Sequence, residues 1–257
     1  MEALSKEKKV MVTHIYHSGV MIETESKLLI IDYFHEKDSF EQQEFLALLK
    51  QHSNKDFYYF VTHGHKDHFN RSILTSQFQS LYGTTYYIFS EDLKHHKGAF
   101  DTVTLCGPDE DFSVGELNIK TFGSTDQGVS YLIESLSDNT LLFHSGDLNW
   151  WHWKSFSNKE LEQEKNDFLE EVIKLQEHLK EKNITLDLAF VPVDPRLEEF
   201  YHLAGKIFLE EIKPVRLFPL HFRDNYQVTK DFKDQYDEEG HFQHITNPLE
   251  TFRLADE

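Results

Sequence analysis

The segment Val61-Thr-His-Gly-His-Lys-Asp-His-Phe-Asn70 places four side chains of the metal-ligand type within six residues: His63, His65, Asp67 and His68. The run before it, Asp56-Phe-Tyr-Tyr-Phe-Val-Thr62, is aromatic and β-branched, which favours a strand. Residues 71–77 carry no turn signal and predict a helix. The cluster therefore lies where a strand ends and a helix begins, a position that often carries the chemistry of α/β sheets.

These four side chains suit a transition metal. In an extended segment, side chains two residues apart point to the same side, so His63 and His65 can bind one ion. Asp67 and His68 follow the turn of the chain and face a second point close by. Imidazole and carboxylate suit zinc, iron or manganese, and without a nearby thiolate a closed structural zinc site is not predicted. The alternative is a surface turn that is merely rich in histidine, but four ligand-type residues in this order favour a metal site.

Length and composition bound the class of protein. A chain of 257 residues with 39% hydrophobic residues can form one large α/β domain or two small ones. No apolar run is long enough to cross a bilayer, and the charged N-terminus is not followed by the apolar stretch of a signal peptide. The single cysteine, Cys106, fits a reducing cytosol, so we expect a cytoplasmic protein. The net charge of −19 argues against nucleic-acid binding.

The hydrophobic pattern predicts many short strands and a few helices. Strands are expected at 10–16, 20–24, 27–32, 84–89, 102–105, 117–122, 129–134, 140–144, 185–191, 215–220 and 251–254. Helices are expected at 40–49, 91–96, 158–182 and 200–212. The strands between 102 and 144 suit antiparallel pairing, and the rest of 224–257 is polar. No repeat or linker interrupts the chain, so a single domain over residues 1–257 is predicted.

The order His63-Gly-His65-Lys-Asp67-His68 resembles the His-x-His-x-Asp-His signature of the metallo-β-lactamase-fold hydrolases. This resemblance implies an αββα sandwich of two mixed β-sheets flanked by helices, with one or two metal ions at one edge of the sheets. It extends over most of the chain in element order. It is nearest to the compact single-domain members, which include sugar-phosphate lactonases.

The resemblance also implies roles for three residues that follow predicted strands. Asp147 matches the later aspartate that bridges the metals, and Gly146 lets the backbone come close there. His221 matches the last ligand, and Asp32 matches the aspartate that braces the metal-binding loop, with capping of a turn as its alternative. The expected ligands are therefore His63, His65, Asp67, His68, Asp147 and His221. By contrast, His17 is interpreted as an ordinary loop histidine, with a place at the same edge as its alternative. The pair His95-His96 is interpreted as part of a solvated face, with metal binding as its alternative.

The family pattern breaks before Asp147, where the family usually supplies a histidine in a Gly-His-Thr-Pro-Gly context. This chain reads Phe122-Gly-Ser-Thr-Asp-Gln-Gly-Val-Ser-Tyr131, which puts Ser124 at that position. Serine is a weak ligand for zinc compared with imidazole. Either Asp126 substitutes as a carboxylate ligand, or Ser124 and Asp126 only hydrogen-bond around the site. We therefore expect one tightly bound metal and one weak or absent metal.

The resemblance implies a metal-dependent hydrolase acting on a small ester, lactone or phosphoester. Zinc is the expected metal, with iron or manganese as alternatives. Asp67 is the expected catalytic residue, because a carboxylate beside the metal can orient a water and accept its proton. The expected substrate pocket contains Trp150, Trp151, His152 and Trp153, with core packing as the alternative for the tryptophans. Two other classes remain: an iron-binding redox protein, and a non-catalytic metal-binding or sensor protein.

Overall fold

The computed structural model describes residues 10–35, 39–52, 54–71, 84–99 and 103–254, and the helix predicted at 71–77 lies outside them from residue 72 onward. The strands in this part of the chain are β1 (Val10–Tyr16), β2 (Gly19–Glu23), β3 (Lys27–Ile31), β4 (Asp56–Val61), β5 (Thr85–Ser90), β6 (Val103–Cys106), β7 (Asp111–Val114), β8 (Leu117–Phe122), β9 (Ser130–Ser135), β10 (Thr140–His144), β11 (Leu188–Pro192), β12 (Arg216–Leu220) and β13 (Thr251–Leu254). The α-helices are α1 (Phe40–Leu49), α2 (Asn158–Lys182), α3 (Leu203–Ile207) and α4 (Tyr226–Tyr236). Short 3₁₀ segments lie at Lys50–His52, Glu91–Ala99 and Pro195–Phe200, and a π-helical turn, Phe208–Ile212, continues α3.

The strands form two mixed sheets. In the first, the order is β13-β1-β2-β3-β4-β5-β6, with β3 to β6 parallel and the other pairs antiparallel. In the second, the order is β12-β11-β10-β9-β8-β7, with β10 to β12 parallel and the remaining pairs antiparallel. Parallel strands end at the same edge of their sheet, so the residues that follow them are brought together there.

The two faces of β4 show how the layers pack. Tyr58 and Phe60 belong to the core that the two sheets share, whereas Phe57 and Tyr59 belong to a second core that also contains Phe45 of α1. This alternation follows from the two-residue period of a strand. Tyr131 of β9 donates a hydrogen bond to the carbonyl oxygen of Val61 at 3.0 Å and so ties the second sheet to the end of β4. The predicted αββα sandwich is confirmed.

Helix α2 has clear start and stop signals. Ser157 and Glu160 form a capping box at its N-terminus, and Asn183 ends it in the left-handed conformation at φ 52°. Its apolar stripe packs into the shared core through Phe168, Val172, Leu175 and Leu179. Its other faces are highly charged. No helix in the described part of the chain is long and apolar enough to cross a membrane.

The secondary structure predicted from the hydrophobic pattern differs from the observed structure at four places. Strand β6 pairs in parallel with β5 in the first sheet, so the antiparallel pairing predicted for residues 102–105 is wrong. Strand β7, a half-exposed strand at the edge of its sheet, was not predicted because it has too few apolar residues to be recognised. The helix predicted at 200–212 is divided into 3₁₀, α and π pieces. Helix α4 lies in the stretch predicted to be polar, because it buries only Val228, Thr229 and Phe232.

Candidate metal centre

The candidate site lies where five strands end. His17 follows β1, Asp32 follows β3, the segment from His63 to His68 follows β4, Asp147 follows β10 and His221 follows β12. Except for His65, Lys66 and Asp67, the chemically active side chains here are buried. The structure therefore brings the sequence-predicted ligands from both sheets to one edge of the sandwich.

Asp32 anchors the loop that carries the histidines. Its carboxylate accepts hydrogen bonds from the Thr62 backbone N–H at 2.8 Å, from Thr62 Oγ1 at 2.7 Å and from His68 Nδ1 at 2.8 Å. Burial alone would raise the pKa of Asp32, but the neighbouring His68 holds it below its ordinary value. These contacts fix the exit of β4 and leave His68 Nε2 pointing to the centre of the site, which agrees with the bracing role predicted for Asp32.

Asp147 stands at the centre of the cluster. Its Oδ1 lies 2.6 Å from His221 Nε2 and 3.1 Å from His68 Nε2, while its Oδ2 lies 3.5 Å from His63 Nε2. Burial would raise the pKa of Asp147, but His221 and His68 outweigh it and hold the pKa well below the ordinary value. The two oxygens thus face different imidazoles, as a bridging carboxylate requires.

His68, like His221, has its pKa raised by the carboxylates of the cluster. Burial would lower its pKa, but the carboxylates of Asp147 and Asp32 outweigh burial and raise the pKa to about 10. The pKa of His63 is instead lowered to about 4, chiefly by burial and then by His68. One proton on His68 therefore partly offsets two buried carboxylates in the protein without metal.

His221 is oriented from behind by Asp194, a residue that the sequence analysis missed. His221 Nδ1 lies 3.4 Å from Asp194 Oδ2, and Asp194 is fully buried. Both Asp194 oxygens accept from Arg196 Nε at 2.9 Å. A carboxylate behind a histidine is the usual outer support of a metal ligand. Its position directly beyond β11, one strand from His221, is the signal that could have identified it.

The first predicted metal position has two imidazoles and a carboxylate. His63 Nε2 and His65 Nδ1 lie 2.9 Å apart, and His63, His65 and Asp147 offer donor atoms within 4.8 Å of one another. Asp126 Oδ2 lies 3.7 Å from His65 Nδ1. Ser124 Oγ accepts a 3.3 Å hydrogen bond from the Asp126 N–H. The loop after β8 therefore brings the Asp126 carboxylate near this position.

The second group of donors contains an unexpected histidine. His17, His68 and His221 offer ring nitrogens within 4.8 Å of one another. His17 is only 1% exposed, so its interpretation as an ordinary loop histidine is wrong. Burial, followed by His221, lowers the pKa of His17 to about 3. The sequence feature that pointed to a site residue was that His17 directly follows β1, as Asp32 directly follows β3.

Asp67 lies at the rim of this second group. Its Oδ2 is 3.3 Å from His17 Nε2 and 3.4 Å from Arg223 Nη2, and its side chain is 35% exposed. The nearby His17 imidazole is the largest cause of the shift and holds the pKa of Asp67 well below its ordinary value. The carboxylate is therefore ionised, in contact with both the buried donors and the solvent.

Two glycines allow the loops of the second sheet to reach Thr62. A Cβ on Gly128, which has φ +74°, would lie 1.9 Å from the Thr62 carbonyl oxygen. A Cβ on Gly146, which has φ +54°, would lie 2.7 Å from Thr62 Cβ. The Val129 N–H donates to the Thr62 carbonyl at 3.0 Å. Only glycine fits such close approaches in this backbone conformation.

A cleft of about 380 Å³ opens over the cluster. It is lined by His65, Asp67, Thr125, Asp126, Asp147, Trp151, Trp153, Phe156, Glu164, Arg196 and His221. Trp151 and Trp153 stack 5.9 Å apart at an interplanar angle of 3°, with the Arg196 guanidinium 6.0 Å and 5.7 Å from their rings. This gives the cleft one aromatic wall.

The other two residues of the predicted pocket lie away from the cleft lining. Trp150 stacks on Phe168 of α2 at 6.2 Å and packs against the shared core. The His152 ring lies 4.0 Å from that of Phe200. The tryptophans therefore divide between core packing and the cleft. His95 is exposed, as predicted, while the side chain of His96 lies outside the described residues.

Comparison with known proteins supports the fold. No protein-family model and no curated protein matches the sequence. Among solved structures, the chain is similar to Igni18, a metallo hydrolase from the archaeon Ignicoccus hospitalis, with a TM-score of 0.62, 13% identity and coverage of 98% of this chain and 100% of that one. It is similar to YhfI, a metallo-β-lactamase-fold protein from Bacillus subtilis, with a TM-score of 0.59, 12% identity and coverage of 96% and 100%. A third is CmlA, a diiron β-hydroxylase from Streptomyces venezuelae, with a TM-score of 0.56, 9% identity and coverage of 96% and 54%. The chain has the metallo-β-lactamase fold.

Proposed function

We propose that the protein is a metal-dependent hydrolase that acts on a small ester, lactone or phosphoester. The observation that carries this proposal is the position of Asp147, whose two carboxylate oxygens face imidazoles of both donor groups beneath an open cleft. The proposed ligands are His63, His65, Asp67, His68, Asp147 and His221. Residues 1–257 are proposed to act as one domain, in the cytoplasm.

The donor set fits a divalent transition metal. It combines imidazoles with carboxylates and contains no thiolate in the described part of the chain, where the single cysteine, Cys106, is buried elsewhere and in contact with Tyr131. Within the described ranges, neither ring nitrogen of the buried His17 has a hydrogen bond of good geometry, and an unsatisfied buried polar group costs about 1–3 kcal/mol. A metal would use such nitrogens. Zinc is proposed first, and one tight and one weaker ion are expected because Ser124 replaces an imidazole.

A bound metal would supply an acidified water and would polarise the substrate oxygen. The protein residues then have separate tasks. Ionised Asp67, at the floor of the cleft, orients the water and accepts its proton. Asp32 and Asp194 hold His68 and His221 in place. Trp151 and Trp153 give the substrate an apolar wall, and Arg196 adds a cation beside it.

The test is a hydrolysis screen with controlled metal content. Protein stripped with a chelator and then supplied with zinc, iron or manganese is assayed on lactones, thioesters and phosphodiesters, with His68→Ala as the control. We expect hydrolysis of one class that depends on added metal and is absent in the control. Metal-loaded protein that hydrolyses none of them, or hydrolysis that survives in His68→Ala, would contradict the proposal.

The similarity to CmlA supports an iron-binding redox protein as the second candidate. The same imidazole and carboxylate ligands suit iron, and the chain spans 54% of the CmlA chain. Metal analysis of protein purified from medium containing equal zinc and iron separates the two. Zinc in the protein supports the hydrolase, whereas two iron ions per chain with an absorption band from oxidised iron would favour the redox protein.

A further inference from the structure

The backbone at His17 has an unusual conformation that hydrogen bonds from other strand ends hold in place. Its backbone adopts φ 55°, a conformation that non-glycine residues rarely adopt. Its carbonyl oxygen accepts a 3.1 Å hydrogen bond from the His221 N–H, and the next carbonyl, of Ser18, accepts one from His144 Nε2 at 3.0 Å. These bonds clamp the turn after β1 to the ends of β12 and β10. The backbone at His17 is therefore held in one place.

The His17 ring is directed into the metal cluster. Its centroid lies 4.2 Å from the His221 ring and 5.7 Å from the His68 ring. Ring nitrogens of these three histidines all lie within 4.8 Å of one another. Atoms bound to one zinc ion at about 2.0–2.1 Å cannot be more than about 4.2 Å apart, so small adjustments bring all three onto one ion.

A role in packing or hydrogen bonding explains the burial of His17 less well than metal binding does. Buried polar groups are normally paired, yet neither nitrogen of His17 has a well-formed hydrogen bond among the described residues. The same holds for His35, so the feature that distinguishes His17 is its closeness to the ring nitrogens of His68 and His221. The Nε2 of His17 lies 3.3 Å from Asp67 Oδ2, and Asp67 is itself on the cleft. His144, also buried, shows the contrast, because its Nε2 donates to Ser18 and its Nδ1 accepts from Gly146.

We propose that His17 is a third imidazole ligand of the metal position formed by His68 and His221. With Asp147 Oδ1 as the fourth donor, this position would offer three nitrogens and one oxygen, a donor set that suits zinc. Asp67 is then not needed as a permanent ligand and remains free for its task in the cleft. The inference deepens the proposed metal site and makes this position, rather than the one near Ser124, the tightly bound one. It does not depend on which substrate is hydrolysed.

The test counts imidazole ligands. Protein loaded with one equivalent of zinc is studied by X-ray absorption spectroscopy, and its zinc affinity is measured by competition with a chelator. The variants are His17→Ala and His17→Gln, the second keeping more of the side-chain volume in case the first does not fold. His35→Gln is the matched control, because His35 is also buried but belongs to neither donor group.

We expect the number of bound imidazoles to fall from three to two in both His17 variants, with affinity at least 100-fold weaker, and no change in the control. An unchanged imidazole count or affinity in a folded His17 variant would overturn the inference. Wild-type protein that binds no zinc would instead overturn the proposed metal site as a whole. The two failures are therefore distinguishable.

Discussion

Asp32 is the single carboxylate on which the geometry of the metal-binding loop depends. Replacing it by alanine leaves two buried donors, the Thr62 N–H and His68 Nδ1, without an acceptor. Thr62 Oγ1 also loses its bond to Asp32 and keeps only the 3.1 Å contact with His63 Nδ1. Each unsatisfied buried group costs about 1–3 kcal/mol, so we expect Asp32→Ala to lower the free energy of unfolding by about 3 kcal/mol or more. Denaturant unfolding of the metal-free protein measures this loss.

Asp32→Asn is the control for this prediction. Asparagine tolerates the positive φ of 53° and keeps an acceptor for one donor, so the loss should be clearly smaller than in Asp32→Ala. If the two variants were equally stable, or if Asp32→Ala unfolded like the wild type, the bracing role would be wrong.

Trp150 and Trp153 form a matched pair, since both are half-buried but only Trp153 lines the cleft. Trp150→Ala removes packing on Phe168 and should lower stability by about 2 kcal/mol with little change in KM. Trp153→Ala should raise KM about 10-fold and change the melting temperature little. Unfolding curves and steady-state kinetics on the substrate found in the screen test both. The reversed pattern would exchange the two roles.

At the scale of single residues, a site residue could be predicted from the sequence where the residues around it form a recognisable motif or strand. The six proposed ligands follow strands or share the His-x-His-x-Asp-His spacing. His17 was interpreted as a loop histidine and Asp194 was missed, because each is a lone polar residue after a strand. The tertiary structure places both beside His221. The sequence also did not predict that Trp150 packs against the core while Trp151 and Trp153 line the cleft. Local sequence does not define which side of a loop faces the core.

Among the connecting elements, the loops after β8 and β10 depend on glycine. Gly128→Ala and Gly146→Ala would each force a methyl group into Thr62. We expect each to lower stability by more than about 2 kcal/mol and to weaken metal binding, since Thr62 is hydrogen-bonded to Asp32. Thermal unfolding and chelator competition measure the two effects.

Gly240→Ala is the control that measures the cost of the backbone conformation without a steric clash. Gly240 also has a positive φ, of 82°, but a Cβ there would meet nothing within 4 Å. This variant should lose only the cost of the backbone conformation, about 1–2 kcal/mol, and bind metal normally. Equal losses in all three variants, with metal binding unchanged, would show that the approach to Thr62 is unimportant.

Elements with strong periodicity or capping signals were predicted closely. Strand β1, helix α1 and helix α2 have the predicted bounds. The elements that differed lack such signals: β7 is half-exposed, and the 3₁₀ segment before α3 contains a kink at Glu198, with φ 55°. Their conformation is decided by tertiary contacts rather than by local pattern.

Over the whole molecule, buried neutral histidines should make the metal-free protein sensitive to acid. Burial is the largest cause that lowers the pKa of His14 to about 3, and of His35 and His144 to about 4. The unfolded chain, with histidine pKa values near 6.5, therefore binds protons that the folded chain does not. Stability should fall as the pH falls from about 6.5 to 4.

His35→Phe tests this pH dependence without touching the donor groups. Removing one such histidine should reduce the slope of stability against pH in this window by up to about 1.4 kcal/mol per pH unit. Urea unfolding at a series of pH values between 4 and 7 measures the slope. A slope identical to that of the wild type would mean that His35 titrates normally in the folded protein.

The αββα sandwich followed from one motif together with the order of strands and helices, because the motif resembles that of a known fold. Pairing partners did not follow: nothing local indicates that β6 joins the first sheet and β7 the second. The single domain over residues 1–257 stays a prediction, as does the substrate, since the cleft wall is assembled from residues far apart in the chain, such as Asp67, Trp151 and Arg196.

The central claim is that this edge of the sandwich holds a transition metal. Its most direct test is the metal content, by mass spectrometry, of the wild-type protein, of His68→Ala and of His95→Ala, in which an exposed histidine is removed. We predict at least one zinc, iron or manganese ion per chain in the wild type and in His95→Ala, and none in His68→Ala. Wild-type protein without metal, or His68→Ala with its full content, would contradict the account.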